Sequence, residues 1–255
     1  MILEEFDPAE GIITPFDSDM TLTVDRLPEI LIAPFSGEVM AEIIASENCI
    51  WVGEQHSINQ SYPVYLYKDG DRDYTIARAE LGATNCIGAL EELMANGVKK
   101  VILFGSCGVL DKSIPAHQVI VPTSAIRDEG TSYHYAPSAD EIEINPQSIK
   151  KLIRVFDQAN VDYMTAKTWT TDGFFRETPN KTKHRLEMGC QVVDMECSAV
   201  AAWAQYRHTE TYHFFYTADH VDIEDKKWRP RRLERTAAHP VYSFFELALY
   251  LAKNL

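Results

Sequence analysis

The side chains best equipped for chemistry gather in Gln191–Ala204, QVVDMECSAVAAWA. An apolar approach, Val192–Val193, leads to Asp194, Met195 and Glu196, and small apolar residues follow from Ala199 to Ala204. Such a run suits a helix buried against a sheet. Two carboxylates at its entrance suit the positive end of that helix, and an acidic helix start alone would account for them. Met195 between them adds a second possibility: a thioether beside a carboxylate can hold a sugar by its carbon face and its hydroxyls. Gly105-Ser106-Cys107-Gly108 reads as a loop after a strand. Its two glycines would let backbone N–H groups approach an anion or a sugar, although a plain structural turn has the same composition. Asp172-Gly173-Phe174-Phe175 and Ala218-Asp219-His220 complete the set.

These residues need elements to position them. Ile30–Ala33 reads as a short apolar strand, and Ser36 as the cap of a helix from Gly37 to about Ser46. Ile50–Val52 and Val64–Tyr67 read as strands, the second turning at Asp69-Gly70 into Tyr74–Ala79. Leu81–Asn85 opens a helix through Met94, closed by Asn96-Gly97. Val101–Phe104 is a buried strand running into Gly105, and Val119–Pro122 is another. Arg127–Pro137 reads as loop. Pro146–Ala159 carries Ile149, Leu152, Ile153 and Phe156 at helical spacing. Tyr163–Thr171, Val192–Asp194 and Tyr212–Thr217 are strands, and Pro240–Lys253 is a closing amphipathic helix. This alternation predicts one α/β domain over residues 1–255, with a mostly parallel sheet covered on both faces. Residues 1–27 would form an arm that packs on the body or on a neighbouring subunit. In such sheets ligands sit outside the carboxyl ends of strands, where Gly105–Gly108, Asp172–Phe175, Met195–Glu196 and Asp219 are predicted to fall.

Composition removes several function classes. A formal charge of −14 on 255 residues disfavours nucleic acid and anionic membranes as partners. No apolar run approaches the roughly 18 residues of a membrane helix. The start, MILEEFDPAE, lacks the basic region and apolar core of a signal peptide. Five cysteines without a CxxC pair argue for reduced thiols in a cytoplasmic protein rather than a disulfide framework. The histidines, among them His56, His117, His134, His208, His213 and His220, have no metal-ligand spacing such as HExxH, so no metal is expected.

GATNCIGALEELMANG, VILFGSCGVL, RDEGTSYHYAP, TTDGFF, VVDMECSAVAA and YTADH follow one another in an order and spacing that resembles the purine-nucleoside and uridine phosphorylase family over residues 30–250. The resemblance implies a three-layer α/β/α fold around a central twisted, mostly parallel mixed sheet. It implies homo-oligomers (dimers, trimers of dimers or hexamers) with sites near subunit contacts, where a histidine such as His56 would be lent to a neighbour. It also implies cleavage of an N-glycosidic bond with phosphate as co-substrate and no cofactor. Carried over by motif, Glu196 would bind the ribose hydroxyls, Met195 would pack on the sugar, and Phe174 would stack on the base. Ser106, with Gly105 beside it, would touch phosphate or sugar. A carboxylate on the 2′- and 3′-hydroxyls favours the cationic sugar that forms as C1′–N breaks, and an acid near the base protonates the leaving nitrogen. Asp219 resembles the Asp that purine-specific bacterial members use at N7, and Arg232 follows at the spacing of the arginine that assists it. A strand-end cap for Asp219 and a solvated basic stretch, Lys226–Arg235, are the plainer alternatives.

Two departures shape the expected chemistry. The Gln and Arg with which the uridine branch reads uracil are replaced here by Arg176-Glu177-Thr178-Pro179-Asn180, which favours a purine. The family's phosphate arginines are also missing: Pro34–Val39 and Leu103-Phe104 hold none. Gly37 could supply an N–H, with Arg78, Arg127 or a neighbouring subunit's arginine as the cation a dianion requires. The same loss marks the hydrolytic methylthioadenosine/adenosylhomocysteine nucleosidases, whose water-activating Glu followed by Val matches Glu38-Val39. Glu38 is equally a first-turn acid on its helix. A nucleoside-binding homologue with little turnover is the third reading.

Overall fold

The computed structural model describes residues 2–18, 20–58, 60–222, 227–230 and 243–255. A two-residue strand, β1 (Thr21–Leu22), precedes β2 (Ile30–Pro34). Ser36 then caps α1 (Gly37–Ile44), its Oγ accepting from the Val39 amide at 3.3 Å. Strands β3 (Cys49–His56), β4 (Ser61–Asp69) and β5 (Arg72–Ala77) form an antiparallel meander, followed by α2 (Ala83–Ala95). The chain continues through β6 (Lys100–Val109), β7 (Val119–Asp128), β8 (Glu141–Glu143) and α3 (Pro146–Gln158). It then forms β9 (Tyr163–Thr171), α4 (Pro179–Glu187), β10 (Cys190–Asp194) and α5 (Cys197–Arg207). β11 (Glu210–Asp222), β12 (Lys227–Pro230) and α6 (Ser243–Lys253) complete it.

Twelve strands among the described residues form one mixed sheet. Its middle is parallel: β2 pairs in parallel with β5 and β6, and β6 with β11. β9 pairs in parallel with β7 and β10. Antiparallel pairs come from the β3–β4–β5 meander, the short strands β1, β8 and β12, and the joints β6–β10 and β7–β11. Those two joints close β6, β10, β9, β7 and β11 into a ring.

Side chains alternate across each strand and sort into two apolar layers. Ile102 and Phe104 of β6, with Tyr212, Phe214 and Tyr216 of β11, face α1, α3 and α6. Val101 and Leu103 face α2 and α5. Three layers, α1/α3/α6 on sheet on α2/α5, follow. The unbroken burial of Cys197–Ala204 shows why α5 needs small residues: it lies tight on the sheet. Residues 8–10 dock on the far end of α5, where Arg207 forks the Glu10 carboxylate at 3.0 Å and Tyr206 donates to the Ala9 carbonyl at 3.1 Å. No helix among the described residues is long and apolar enough to cross a membrane, and all five cysteines are free thiols.

Several elements depart from expectation. Gly105–Gly108 is not a loop but part of β6, because β11 stays paired through it: Phe215 opposes Gly105, Tyr216 Ser106, Thr217 Cys107 and Asp219 Gly108. Its glycines answer to crowding, not turning. A Cβ on Gly105 would lie 2.8 Å from the Phe35 ring, and one on Gly108 2.7 Å from Val193 Cγ1. Arg127 and Asp128, expected in a loop, extend β7 opposite Thr170 and Thr171. Helix α4 carries little apolar periodicity, yet Thr178-Pro179 is a cap-and-first-turn signature, with Thr178 Oγ1 accepting from the Lys181 amide at 3.4 Å. The closing helix is seen from Ser243, and its expected start at Pro240 lies outside the described residues.

Phe214 is fully buried, stacked on Phe104 with ring centroids 5.4 Å apart and edge-on to Phe156 at 5.4 Å. Phe214→Ala removes the wedge between β11, β6 and α3 and is expected to cost about 3–5 kcal/mol, read as a lowered midpoint in urea unfolding.

Candidate functional site

The ring of strands gathers the chemistry. Gly108 on β6 opposes Val193 on one side, three residues before Glu196, and Asp219 on the other. The Asp219 carboxylate turns back over Gly108, its Oδ2 3.4 Å from the point a Cβ would occupy. Glycine is needed there because a side chain would displace either Val193 or the acid. Of the two acids singled out in the sequence, Asp219 thus lies on one strand flanking Gly108, and Glu196 follows the end of the other as the residue before α5.

Glu196 is placed by Asp194. That buried carboxylate accepts from Thr168 Oγ1 at 2.9 Å and Thr170 Oγ1 at 2.8 Å on β9. Its other oxygen accepts from the amides of Glu196 at 2.8 Å and Cys197 at 2.6 Å. Asp194 therefore caps α5, and of the two acids at the helix entrance only Glu196 is left with a carboxyl not spent on that cap. Glu196 is 6% exposed, and its Oε1 accepts from the Gly82 amide at 2.6 Å, tying α5 to the start of α2. Burial first and the Asp194 charge second push its carboxyl up to about 8. Met195 is half-buried beside it. Gly105 is buried beneath Phe35, whereas Ser106 is exposed.

An acidic rim surrounds this pair. Glu129 accepts from Ser198 Oγ at 2.8 Å and the Ser132 amide at 2.9 Å. Asp172 accepts from the Gly130 amide at 3.1 Å. Phe174 starts a single helical turn, Phe174–Arg176; the residue is 48% exposed, its ring tilted at 38° against Phe175 with centroids 4.0 Å apart. Glu177, to which sequence reasoning assigned no catalytic role, follows that turn. Burial and the Asp219 charge raise its carboxyl to about 7.

The expected anion ligands separate. Arg127 is no phosphate ligand. It is buried in β7, its guanidinium donating to Ser132 Oγ at 2.9 Å and to the Pro137 and Ala136 carbonyls at 2.6 and 3.3 Å, and it packs 4.1 Å over Tyr133. This arginine folds the 130–137 segment instead. Arg78 is half-exposed, 3.4 Å from the buried Glu80. With Gly37, Gln60, Ser61 and Glu80 it lines a cavity of about 240 Å³ beside the first turn of α1. Two of the sequence-derived anion candidates, Gly37 and Arg78, meet in that cavity. Glu38 is exposed on the same turn. Arg232 lies outside the described residues. His213, by contrast, is buried between Phe35 and Phe215, with neither ring nitrogen hydrogen-bonded among the described residues. Burial holds it neutral, down to about 3.

The family model described as the phosphorylase superfamily matches residues 29–245. A guanosine phosphorylase of Halorubrum lacusprofundi is 24% identical over 205 residues, 80% of this chain and 76% of that protein. A DeoD-type purine nucleoside phosphorylase of Bacillus cereus is 24% identical over 137 residues, 51% of this chain and 56% of its own length, so the chain spans little more than half of that relative. Among solved structures, a uridine phosphorylase of Vibrio fischeri superposes with a TM-score of 0.72 at 20% identity, covering 90% of this chain and 92% of that one.

Burial of Glu196 has a consequence for stability. Its carboxyl titrates at its ordinary 4.5 when unfolded and near 8 when folded, so between those values the folded state binds the extra proton. Folding stability must therefore fall as pH rises through that window. Glu196→Gln lacks this titration. The stability of wild type relative to the variant is expected to drop from pH 4.5 to pH 8, read by urea unfolding at each pH.

Proposed function

The chain belongs to the phosphorylase superfamily, and from that footing we propose that it cleaves the N-glycosidic bond of a ribonucleoside, transferring the ribosyl group to phosphate. The observation that carries this reading is the buried Glu196, its carboxyl bound by the Gly82 amide and its backbone amide by Asp194, on the segment that leaves Val193 beside Gly108, with Asp219 opposite Gly108 on the other side. Glu196 takes the 2′- and 3′-hydroxyls and Met195 packs on the sugar. As the C1′–N bond breaks, its electron pair passes to the base, a phosphate oxygen bonds to C1′, and the Asp219 carboxyl protonates the base. Phe174 offers an exposed ring for stacking. A purine fits best, since Glu177 and Thr178 stand where the uridine branch reads uracil, and two of the relatives named above act on purine nucleosides by name.

Phosphate would enter the cavity beside Gly37, where Arg78 supplies the cation and Ser61 and Gln60 supply hydrogen-bonding groups. Ser106, exposed on β6, would stand on the sugar side. Phosphate is the co-substrate and no further cofactor is required. The exposed Trp51, Ile50 and Ile58 on and after β3 suit a homo-oligomer, and free thiols throughout suit the cytoplasm.

The commitment of Arg127 to its own loop favours a second reading, hydrolysis with Glu38 activating water. Release of base from inosine, guanosine and adenosine, followed with and without phosphate, separates the two. Phosphorolysis requires phosphate and yields ribose 1-phosphate; free ribose at an undiminished rate without phosphate would establish hydrolysis instead. Ligand affinity with no base release from any nucleoside would leave only a binding protein.

Glu196→Gln is expected to lower kcat/KM about 10²-fold or more, because a charged contact made to the cationic sugar is lost. Wild-type kcat/KM should rise with pH toward the Glu196 value of about 8, as the hydroxyl-binding carboxylate forms. In the variant that rise should vanish.

A further inference from the structure

Helix α4 offers little apolar surface by which to dock. Thr182 is its one buried residue, and Leu186 packs at the edge of the apolar cluster that holds Trp169. A second attachment runs through one carboxylate oxygen, Oδ2 of Asp128, the last residue of β7. It accepts from Lys181 Nζ at 2.7 Å and from the Trp169 indole Nε1 at 2.9 Å, and the Arg185 guanidinium stands 3.5 Å away. Lys181 and Arg185 are one helical turn apart on α4. Both cations lie over the fully buried Trp169 ring, 5.7 and 5.5 Å from its centroid.

The same residue ties the chain where it leaves β9. The Asp128 carbonyl accepts from the Asp172 amide at 3.3 Å, and the Asp172 carboxylate accepts in turn from the Gly130 amide at 3.1 Å. Residues 173–180, which carry Phe174 and Phe175, therefore form a short span with both ends fastened to the end of β7. Between the fastenings the turn is closed by bonds of its own: the Arg176 amide donates to the Gly173 carbonyl at 2.7 Å, and the Thr178 amide to the Arg176 carbonyl at 2.8 Å. Phe174 and Phe175 are 48% and 87% exposed, so neither ring is seated in the core and both inherit their placement from the two ends. A single exposed ion pair would fix those ends weakly. Here several donors converge on one oxygen of a side chain only 25% exposed, beside an aromatic face, and the fastening has a direction.

We propose that Asp128 is a positioning residue for the base: it fastens both ends of the Phe174 span and so sets where that ring stands against a bound nucleoside. The inference rests on the reading of Phe174 as the stacking surface. Asp128 acts through Phe174, not on the substrate. A stack on the base is made before and during bond cleavage alike, so loosening it weakens binding and leaves the chemical step little changed.

The test joins kinetics to amide exchange. Asp128→Asn keeps the side chain's size and an oxygen for Trp169, but removes the charge that Lys181 and Arg185 share. It should raise KM for inosine on the order of fivefold, the scale of a lost partly exposed ion pair, with kcat little changed, and it should speed amide exchange in residues 173–180 without speeding it in β2 or β6. Lys181→Met, which breaks the same pair from the helix side, should reproduce both changes, and Lys181→Arg should lose less. In a Phe174→Ala background Asp128→Asn should leave KM where Phe174→Ala alone puts it. Losses that multiply in the double variant would overturn the proposal, as would a fall in kcat at constant KM, or exchange in 173–180 that neither Asp128→Asn nor Lys181→Met speeds. If the wild-type protein released base from no nucleoside, the reading of the site would fall and the role in base binding with it, while the exchange measurement would still decide whether Asp128 ties the span.

Discussion

The site depends on one buried carboxylate committed to the cap of α5. Asp194 joins Thr168 and Thr170 of β9 to the first amides of α5, four hydrogen bonds from one side chain. Burial raises its carboxyl, and the surrounding donors with the positive end of α5 oppose that shift. The arrangement fixes where Glu196 emerges, and it makes Glu196 harder to ionise, since the two acids are neighbours in a dry place. Positioning and proton affinity thus arise from the same contact. A surface acid at the same point would be neither held nor perturbed.

Crowding at glycine is the second constraint. β6 passes between β10 and β11 with no room for a side chain at Gly108, and Phe35 covers Gly105. Strands can approach this closely only where the intervening residue has no Cβ. The cost of glycine in a strand is offset by the close approach of Asp219 and the Val193–Glu196 segment. Gly105 and Gly108 therefore serve the site through packing, while Ser106 between them faces outward.

Much of this was legible in the sequence, and for identifiable reasons. Ile30–Ala33 is a short unbroken apolar run and Tyr163–Thr171 is rich in aromatic and β-branched residues, so composition and length mark both as strands. Ser36 announces α1, and the small residues after Glu196 announce a helix packed on a sheet. The acids Glu196 and Asp219 could be picked out because each ends an apolar run. What was hidden depends on long-range pairing. Gly105–Gly108 looks like a turn until β11 is laid beside it, and Arg127 looks like a spare cation until the 130–137 segment folds over it. Glu177 carries no local signal, since its environment is made by a strand more than forty residues on. The closure of five strands into a ring is likewise invisible in any one strand.

That closure governs how the pocket can respond to a ligand. A sheet with free edges can shear or fan open; a hoop held by hydrogen bonds all the way round resists both, because widening one seam compresses another. The residues seated on the hoop, Gly108, Val193 and Asp219, are thus held at nearly constant spacing. Adaptation to differently shaped guests falls instead to what hangs from its rim, above all the short turn bearing Phe174 and Phe175. The protein is built as a rigid frame with a pliable lip.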